Sequence, residues 1–230
     1  MWHIRSNRPR PVPDRCGDGR HVLRTARLVL YTPRDVLDVE VAKAAGADAE
    51  AQRWLGWPAD TLVNAETAEH LLGIDDRNRS ERLRAFPASM RRELTRAMPL
   101  PGPGETQWLL AVDAATGRVA GMSSLTPDDD GTLGLRLAPA YRGQGLGTEL
   151  VAATARFGHA HFGLHTVRAG TETSNDNCRR ALGAAGFEPC DGPARHTLPD
   201  GRVTDAAWYR HGTGSTSRCA SVRESAVTRG

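Results

Sequence analysis

The chain has 230 residues, of which 39% are hydrophobic and 25% are charged, with a formal net charge of +3 at pH 7. This length allows one domain with a sizeable core, or two small domains. The modest charge argues against a protein that binds nucleic acid through its overall electrostatics. No apolar run is long enough for a signal peptide or a membrane span, and the four cysteines form no Cys-x-x-Cys pair, which argues against a zinc site or a disulfide framework.

The two ends of the chain differ in composition from the part between them. Residues 1–20 mix arginine, proline and glycine with few apolar side chains, too few to offset the entropy cost of ordering. We expect a flexible, solvated leader there, with an arm that contacts nucleic acid as the alternative. Residues 213–230 are rich in Ser, Thr, Gly and Arg and predict a disordered tail, which leaves one folded domain over residues 21–212.

The folded part begins with an alternating run. Leu28 and Leu30 face one side and Val29 the other, which predicts a strand. A turn at Thr32 and Pro33 then leads into a helix predicted over residues 35–45, which carries an apolar stripe.

An enlarged helical segment over residues 46–104 follows the first helix. Near its start, Trp54 and Trp57 predict either an amine-binding pocket or simple core packing. A short helix is predicted over residues 66–72. Residues 75–96 carry seven arginines among four acids with sparse apolar side chains, which predicts an exposed helical excursion held by salt bridges.

Strand patterns return after this segment. Runs over residues 108–112 and 118–125 flank a glycine turn and predict a β-hairpin. Alternation over residues 133–137 predicts the central strand. Further strands are predicted over residues 166–171, 187–189 and 203–210. The order of these elements predicts an α/β (α+β) fold.

A glycine-rich turn joins the central strand to a long helix. Gly143, Gly145 and Gly147 accompany apolar residues that recur at steps of four, three and four from Leu146 to Phe157, the spacing of one helix face. The first N–H groups of a helix lack partners and lie at the positive end of its dipole. The junction therefore predicts a phosphate or pyrophosphate site, with a tight turn alone as the alternative.

Two other nucleotide-binding motifs fit this junction poorly. A P-loop needs Gly-Lys-Ser/Thr, and no lysine is present here. A dinucleotide fingerprint needs a third glycine where Leu150 stands and an acidic residue about 20 positions later, which the strand over residues 166–171 does not supply. A redox enzyme that binds a dinucleotide here is therefore a third and less favoured possibility for the function.

Three motifs in this chain resemble those of the GNAT-type N-acetyltransferases. Residues 142–147, RGQGLG, resemble the acetyl-CoA-binding signature Arg/Gln-x-x-Gly-x-Gly/Ala. Residues 175–187 resemble the family's Asn-x-x-Ser-x-Arg helix ending in Gly-Phe, with Cys178 in place of the serine. Residues 23–30, LRTARLVL, resemble the Thr-x-Arg-Leu-x-Leu opening strand of the ribosomal-protein-alanine N-acetyltransferase branch.

The resemblance implies a single GNAT-like domain with a mixed central sheet of about six to seven strands flanked by helices. It also implies transfer of an acetyl group from acetyl-CoA directly to a primary amine, with a protein N-terminal amine as the leading acceptor. An aminoglycoside or polyamine is the alternative acceptor, and a non-catalytic CoA-binding module is the alternative function. No metal and no membrane are expected, and the chain is expected to be a cytoplasmic monomer or homodimer.

The resemblance assigns the cofactor-binding positions residue by residue. The glycine loop and helix start would bind the pyrophosphate, and the end of the central strand would pair with the pantetheine arm. Asn175 would cap its helix, contact the cofactor, or do both. The residues predicted to bind acetyl-CoA are Leu137, Ala138, Arg142, Gly143, Gln144, Gly145, Leu146, Gly147, Thr148 and Asn175.

Two residues are candidates for the catalytic chemistry. Cys178 stands where the family often has a serine near the departing sulfur, so it would protonate the leaving thiolate or else be inert. Thr132 occupies the position where the family often has a catalytic glutamate. Asp130, two residues away, is therefore the predicted general base, with a solvated turn as the alternative reading of the acidic run before Gly131.

Overall fold

The computed structural model describes residues 15–17, 20–102, 104–128 and 130–213. Most of the predicted leader and the tail from residue 214 onwards lie outside the described residues. The strands are β1 Arg15–Gly17, β2 Arg20–Arg24, β3 Leu28–Tyr31, β4 Gln107–Asp113, β5 Val119–Thr126, β6 Thr132–Leu137, β7 Thr166–Glu172, β8 Glu188–Cys190, β9 Arg195–Thr197 and β10 Val203–Gly212. The α-helices are α1 Val36–Ala44, α2 Ala49–Leu55, α3 Ala65–Gly73, α4 Arg79–Arg84, α5 Ala88–Leu94, α6 Leu146–Phe162 and α7 Asp176–Ala184.

The described strands form one mixed sheet in the order β1-β2-β3-β4-β5-β6-β7-β10-β8, with β9 paired to β10. All of these pairings are antiparallel except that of β6 with β7. The predicted mixed sheet flanked by helices is confirmed. Its strand count is higher than six to seven, because three-residue strands such as β1 and β9 are too short to give a sequence pattern.

The opening strand is a hairpin rather than a single strand. Within β2, His21 and Leu23 are buried, whereas Arg20, Val22 and Arg24 are more accessible. Thr25 turns the chain into β3, since its hydroxyl accepts from Leu28 N at 2.8 Å and its own N–H donates to the Leu28 carbonyl. Because β1 and Arg20 also lie in strands, the end of the predicted leader, residues 1–20, belongs to the sheet.

The sheet divides the core into two layers. Alternation along β4 sends Leu109 and Ala111 to the layer that contains α6, and Leu110 and Val112 to the layer that contains α1 and α3. Because both faces of the sheet are buried, the sequences of β4 and β5 are nearly continuous apolar runs.

The enlarged segment contains helices α2 to α5, as predicted, but its charged part is not an exposed excursion. Arg82 on α4 is fully buried and donates to Asp76 Oδ1 at 2.6 Å and to the Ile74 carbonyl at 2.8 Å. Asp38 on α1 is also fully buried and accepts from Arg34 and Arg79. Arg79 and Arg82 therefore hold α4 to the domain, so the predicted exposed excursion over residues 75–96 is wrong for α4. The predicted salt bridges are present, and α5 is exposed except at Leu94.

Histidines near the end of α6 lie in two partly buried contacts. His159 bridges the Leu164 carbonyl at 2.6 Å and His211 Nδ1 at 2.9 Å. Burial, and then the neighbouring His159, lowers the pKa of His211. Burial, and then His161, lowers the pKa of His21. Folding therefore favours the neutral form of both rings.

We expect the free energy of unfolding to decrease as the pH falls. The unfolded chain binds protons at these histidines near their ordinary pKa of 6.5, before the folded chain does, so their stabilisation is complete above that pH and is lost below it. Urea unfolding between about pH 7.5 and pH 5.5 measures the slope. His211→Gln should reduce this slope, whereas His70→Gln at an exposed position of α3 should not. An unchanged slope in His211→Gln would contradict the assignment.

Candidate active site

The parallel strands β6 and β7 diverge after a single paired position, Thr132 with Arg168. On its other edge β6 stays paired with β5 along its whole length. The Ala138 amide donates to the Ala120 carbonyl at 2.9 Å, so the alternation of an antiparallel ladder turns the amides of residues 135 and 137 away from β5. The gap between β6 and β7 therefore presents backbone groups with which an extended ligand can pair.

The glycine loop ends at the start of α6, as the sequence predicts. Gly143 and Gly145 have φ of 72° and 75°, a conformation that side chains other than glycine rarely adopt. Gly145 is the N-cap of α6, and no side chain caps the helix there. The first amides of α6, including those of Gly147 and Thr148, are thus free for an anion, and the helix dipole favours it.

A cleft of about 510 Å³ joins the strand gap to this helix start. The residues that line it come from α2, β6, the glycine loop, the first turn of α6, and α7 with its N-cap. They are Glu50, Ala51, Trp54, Leu55, Leu135, Arg136, Leu137, Arg142, Gly143, Gly145, Gly147, Thr148, Asn175, Asn177, Cys178, Arg180, Ala181 and Ala184. Eight of the twelve predicted site residues are among them. The four that do not line it are Ala138, Gln144, Leu146 and Asp130.

Three of the predicted cofactor residues have other tasks. The amide of Ala138 is committed to β5 and is not a free donor. The side chain of Leu146 is buried in the core, although its amide belongs to the first turn of α6. The side chain of Gln144 donates to the Ala140 carbonyl at 2.7 Å. Any contribution of Gln144 and Leu146 to an anion would therefore come from their backbones.

Arg142 braces the loop. Its guanidinium donates to the Leu137 carbonyl at 2.9 and 3.0 Å, to Asp48 at 2.5 and 2.8 Å and to Glu50 at 3.2 Å. Partial burial of Asp48 opposes its ionisation, but the hydrogen bonds from Arg142 and from the Ala51 amide, together with the charge of Arg142, outweigh that effect and lower the pKa of Asp48. Arg142 thus ties the end of β6 to the start of α2, across the cleft.

Arg27 is a second brace, which the sequence analysis placed only in the opening-strand motif. It donates to the Gln144 carbonyl at 2.8 Å and to Glu149 Oε2 at 2.8 Å. Thr25 donates to the other oxygen of Glu149. The Thr-x-Arg motif therefore fixes the first turn of α6 and the loop before it.

Cys178 and Asn175 lie on the α7 side of the cleft. The Asn175 side chain accepts from Cys178 N at 3.1 Å, so it caps α7 through its oxygen and leaves its amide nitrogen for a ligand. Burial raises the pKa of the Cys178 thiol, and a hydrogen bond with Thr171 only partly opposes this. Cys178 is therefore a neutral thiol at physiological pH, suited to donating a proton and not to attacking as a thiolate.

Asp130 is not brought to the cleft. It lies before the first residue of β6, at the far end of this strand from the glycine loop, and pairs with Arg168 at 3.3 Å. Its side chain is 57% exposed, as expected for a solvated turn. The carboxylate that does line the cleft is Glu50, in the first turn of α2. Glu50 was not predicted as a site residue, because nothing in its local sequence distinguishes it from other surface acids.

The described part of the chain has neither a metal-site arrangement nor a helix able to cross a membrane. Over residues 15–17, 20–102, 104–128 and 130–213, no cluster of three or more His, Cys, Asp or Glu has the arrangement of a metal site. In the same part of the chain, every helix is too short or too polar to cross a bilayer.

Comparisons with solved structures find the same fold in several acetyltransferases. Ribosomal-protein-S5-alanine acetyltransferase from Vibrio fischeri is 14% identical, with a TM-score of 0.54 over 86% of this chain and 99% of that chain. Spermidine N-acetyltransferase from Vibrio cholerae, in complex with CoA and spermine, is 11% identical, with a TM-score of 0.55 over 82% and 96%. A GNAT-family acetyltransferase from Bacillus anthracis is 14% identical, with a TM-score of 0.54 over 83% and 98%. At these identities the likeness shows the fold alone.

Sequence comparisons complete the assignment. A search of curated proteins finds no match. The family model described as Acetyltransferase (GNAT) domain matches residues 27–188, which span the opening strand, the glycine loop and α7. This match covers more than half of the chain, and it includes the uncapped start of α6 and the open edge of β6. The chain therefore belongs to the GNAT acetyltransferase family, and it is an N-acetyltransferase that uses acetyl-CoA.

Proposed function

We propose that this protein acetylates a protein N-terminal amine, as the resemblance to the ribosomal-protein-alanine branch implies, and does not act on a polyamine or aminoglycoside. The charge of the cleft carries this proposal. Three arginines line it: Arg142 is paired with Asp48 and Glu50, whereas Arg136 and Arg180 have no carboxylate partner among the described residues. A polycationic acceptor would meet net repulsion there, because specific sites match charge with the opposite charge.

Different residues of the cleft would have different roles in the reaction. Acetyl-CoA supplies the activated acetyl thioester. The free amides at the start of α6 would hold its pyrophosphate, and those of residues 135 and 137 would hold the pantetheine arm and polarise the thioester carbonyl. Cys178 would supply the proton that the departing sulfur needs. A free thiol at this position also favours the reducing cytoplasm as the location.

Glu50 replaces Asp130 as the candidate that accepts the amine proton. It lines the cleft, whereas Asp130 does not. Its side chain is 61% exposed, so it can exchange protons with water. A general base must reach the amine proton directly or through one water, and Glu50 is the carboxylate on the cleft wall that would do so.

Replacing Cys178 with alanine is expected to lower kcat for thiol release by about 100-fold, in the range typical of a lost general acid. The KM for acetyl-CoA should change little, because the thiol acts on the leaving group. Cys190→Ala is the control, since Cys190 lies on β8 and does not line the cleft. Full activity in Cys178→Ala would dismiss the thiol as proton donor.

A screen of CoA-thiol release tests the function itself. The acceptors are peptides with free N-termini, the same peptides with blocked N-termini, polyamines and aminoglycosides. We expect release only with free peptide N-termini. Release with polyamines would overturn the acceptor class, and CoA binding without release for any amine would identify a non-catalytic module.

A further inference from the structure

The side chain of Arg136 rises from the middle of the strand that borders the cleft. It lies on the face of the sheet opposite α6, where its Nε donates to the Ala42 carbonyl of α1 at 3.0 Å. Its guanidinium stacks 4.5 Å from the ring centre of Trp57. The same side chain lines the cleft. Arg136 therefore stands on the side formed by α1 and α2.

Arg136 has no counter-anion within the described part of the protein. Its Nη2 donates to Met122 Sδ, a weak acceptor, at 2.9 Å, and no described carboxylate lies within salt-bridge distance. Burial without a counter-charge lowers the pKa of Arg136 to about 10, so it stays a cation at neutral pH. A cation in this position is costly unless an anion accompanies it. Buried Arg82, by contrast, is matched by Asp76.

The surroundings of Arg136 hold it in place. A Cβ added at Gly46 would lie 2.8 Å from the Arg136 Cδ, so the glycine leaves room for the arginine stem. Gln52 holds both neighbours of the arginine in place, because it donates to the Gly46 carbonyl at 2.5 Å and accepts from Trp57 N at 2.8 Å. The guanidinium is thus preorganised before any ligand arrives, which reduces the cost of binding.

The position of Arg136 relates it to the reacting groups. Residues 135 and 137, on either side of it, carry the amides that face the strand gap, where the proposed function puts the thioester. The phosphates of acetyl-CoA have their own site at the start of α6, at the other end of the loop. A ligand anion at Arg136 would therefore belong to the acceptor and lie one side-chain length from the acetyl group.

We infer that Arg136 binds a carboxylate of the acceptor, close to the amine that is acetylated. This inference rests on the proposed function and narrows it to an acceptor with a carboxylate a few bonds from its primary amine. Two sources share this chemistry: the acidic side chain of a peptide's first residue, and the α-carboxylate of a free amino acid. A guanidinium recognises either through charge-assisted hydrogen bonds.

Matched acceptor pairs test the inference. C-terminally amidated peptides that begin with Asp or Glu are compared with those that begin with Asn or Gln, and free amino acids are compared with their α-amides. In the unmodified protein, kcat/KM for thiol release should be at least about 10-fold higher for the carboxylate member of one pair type than for its uncharged partner. The pair type that shows this preference identifies whether the carboxylate belongs to a peptide's first side chain or to a free amino acid.

Arg136→Gln should reduce that ratio to near one and leave thiol release with the uncharged acceptors. The Kd for CoA, measured by calorimetry, should stay unchanged. An unchanged Kd would show that the variant is folded. Arg84→Gln, at an exposed position of α4, removes the same charge outside the cleft and should retain the preference.

The two proposals fail differently. Thiol release with no preference in either pair type, or a preference that survives in Arg136→Gln, would overturn the carboxylate site and leave the proposed N-terminal amine acceptor standing. A preference confined to the free amino acids would support the carboxylate site and overturn the peptide acceptor. Weakened CoA binding in Arg136→Gln would assign the arginine to the cofactor and overturn the inference. CoA binding without release for any acceptor would overturn both.

Discussion

Replacing Gly145 with aspartate is expected to weaken CoA binding by at least about 100-fold, or about 2.7 kcal/mol. Gly145 caps α6 with φ of 75°, which a residue with a Cβ adopts only under strain. A Cβ added at Gly145 would lie 3.6 Å from Arg27 Nη2, beside the first amides of α6. The new carboxylate would therefore occupy the proposed diphosphate site and repel the diphosphate. Calorimetric titration with CoA measures the loss.

Two variants separate the possible causes of this loss. Gly163→Asp puts the same side chain at the other end of α6, where φ is 65° and an added Cβ meets nothing within 4 Å. It carries the same backbone strain without touching the cleft, so its CoA affinity should be unchanged. Gly145→Ala carries the strain without the charge and should lose less affinity than Gly145→Asp. Equal losses of CoA affinity in Gly145→Asp and Gly163→Asp would show that the loop is not part of the cofactor site.

Replacing Asp76 with asparagine is expected to lower the free energy of unfolding by about 3–5 kcal/mol, the usual cost of breaking a buried ion pair. Arg82 is fully buried and would keep its charge without a partner. Asp76 also accepts from Tyr31 at 2.7 Å and from Arg34 at 3.0 Å, so the change disturbs the contact between β3, α1 and α4. Urea unfolding measures the difference.

The adjacent residue provides the control for this prediction. Asp75 pairs with Arg77, whose side chain is 82% exposed. Asp75→Asn should therefore change the free energy of unfolding only slightly, although it is the same substitution one residue away. If the two variants unfold at similar urea concentrations, the buried network does not stabilise the domain.

Features with a local signal were predictable from the sequence. The glycine loop, the cap at Asn175 and the hairpin of β4 and β5 each depend on residues that are close together in the chain, and the structure has all three. Eight of the predicted site residues come together because this loop and cap lie at the ends of neighbouring elements.

Features that depend on distant contacts could not be predicted. Arg136 and Glu50 become cleft residues only when α2 packs beside β6, 86 residues apart at these positions. The burial of Arg82 depends on Asp76 and on the layer under α1, which composition does not reveal. Asp130 failed as a cleft residue because the direction of a turn depends on its partner, here Arg168.

The ends of the sheet have a consequence for how molecules of this protein meet. The outermost described strands, β1 and β8, have three residues each, and Pro189 in β8 has no N–H to donate. Long unpaired edges invite strands of other molecules to add to a sheet and so to aggregate. Over the described residues, a broad sheet that ends in two such short strands offers other chains little backbone to pair with, so we expect little strand addition between molecules.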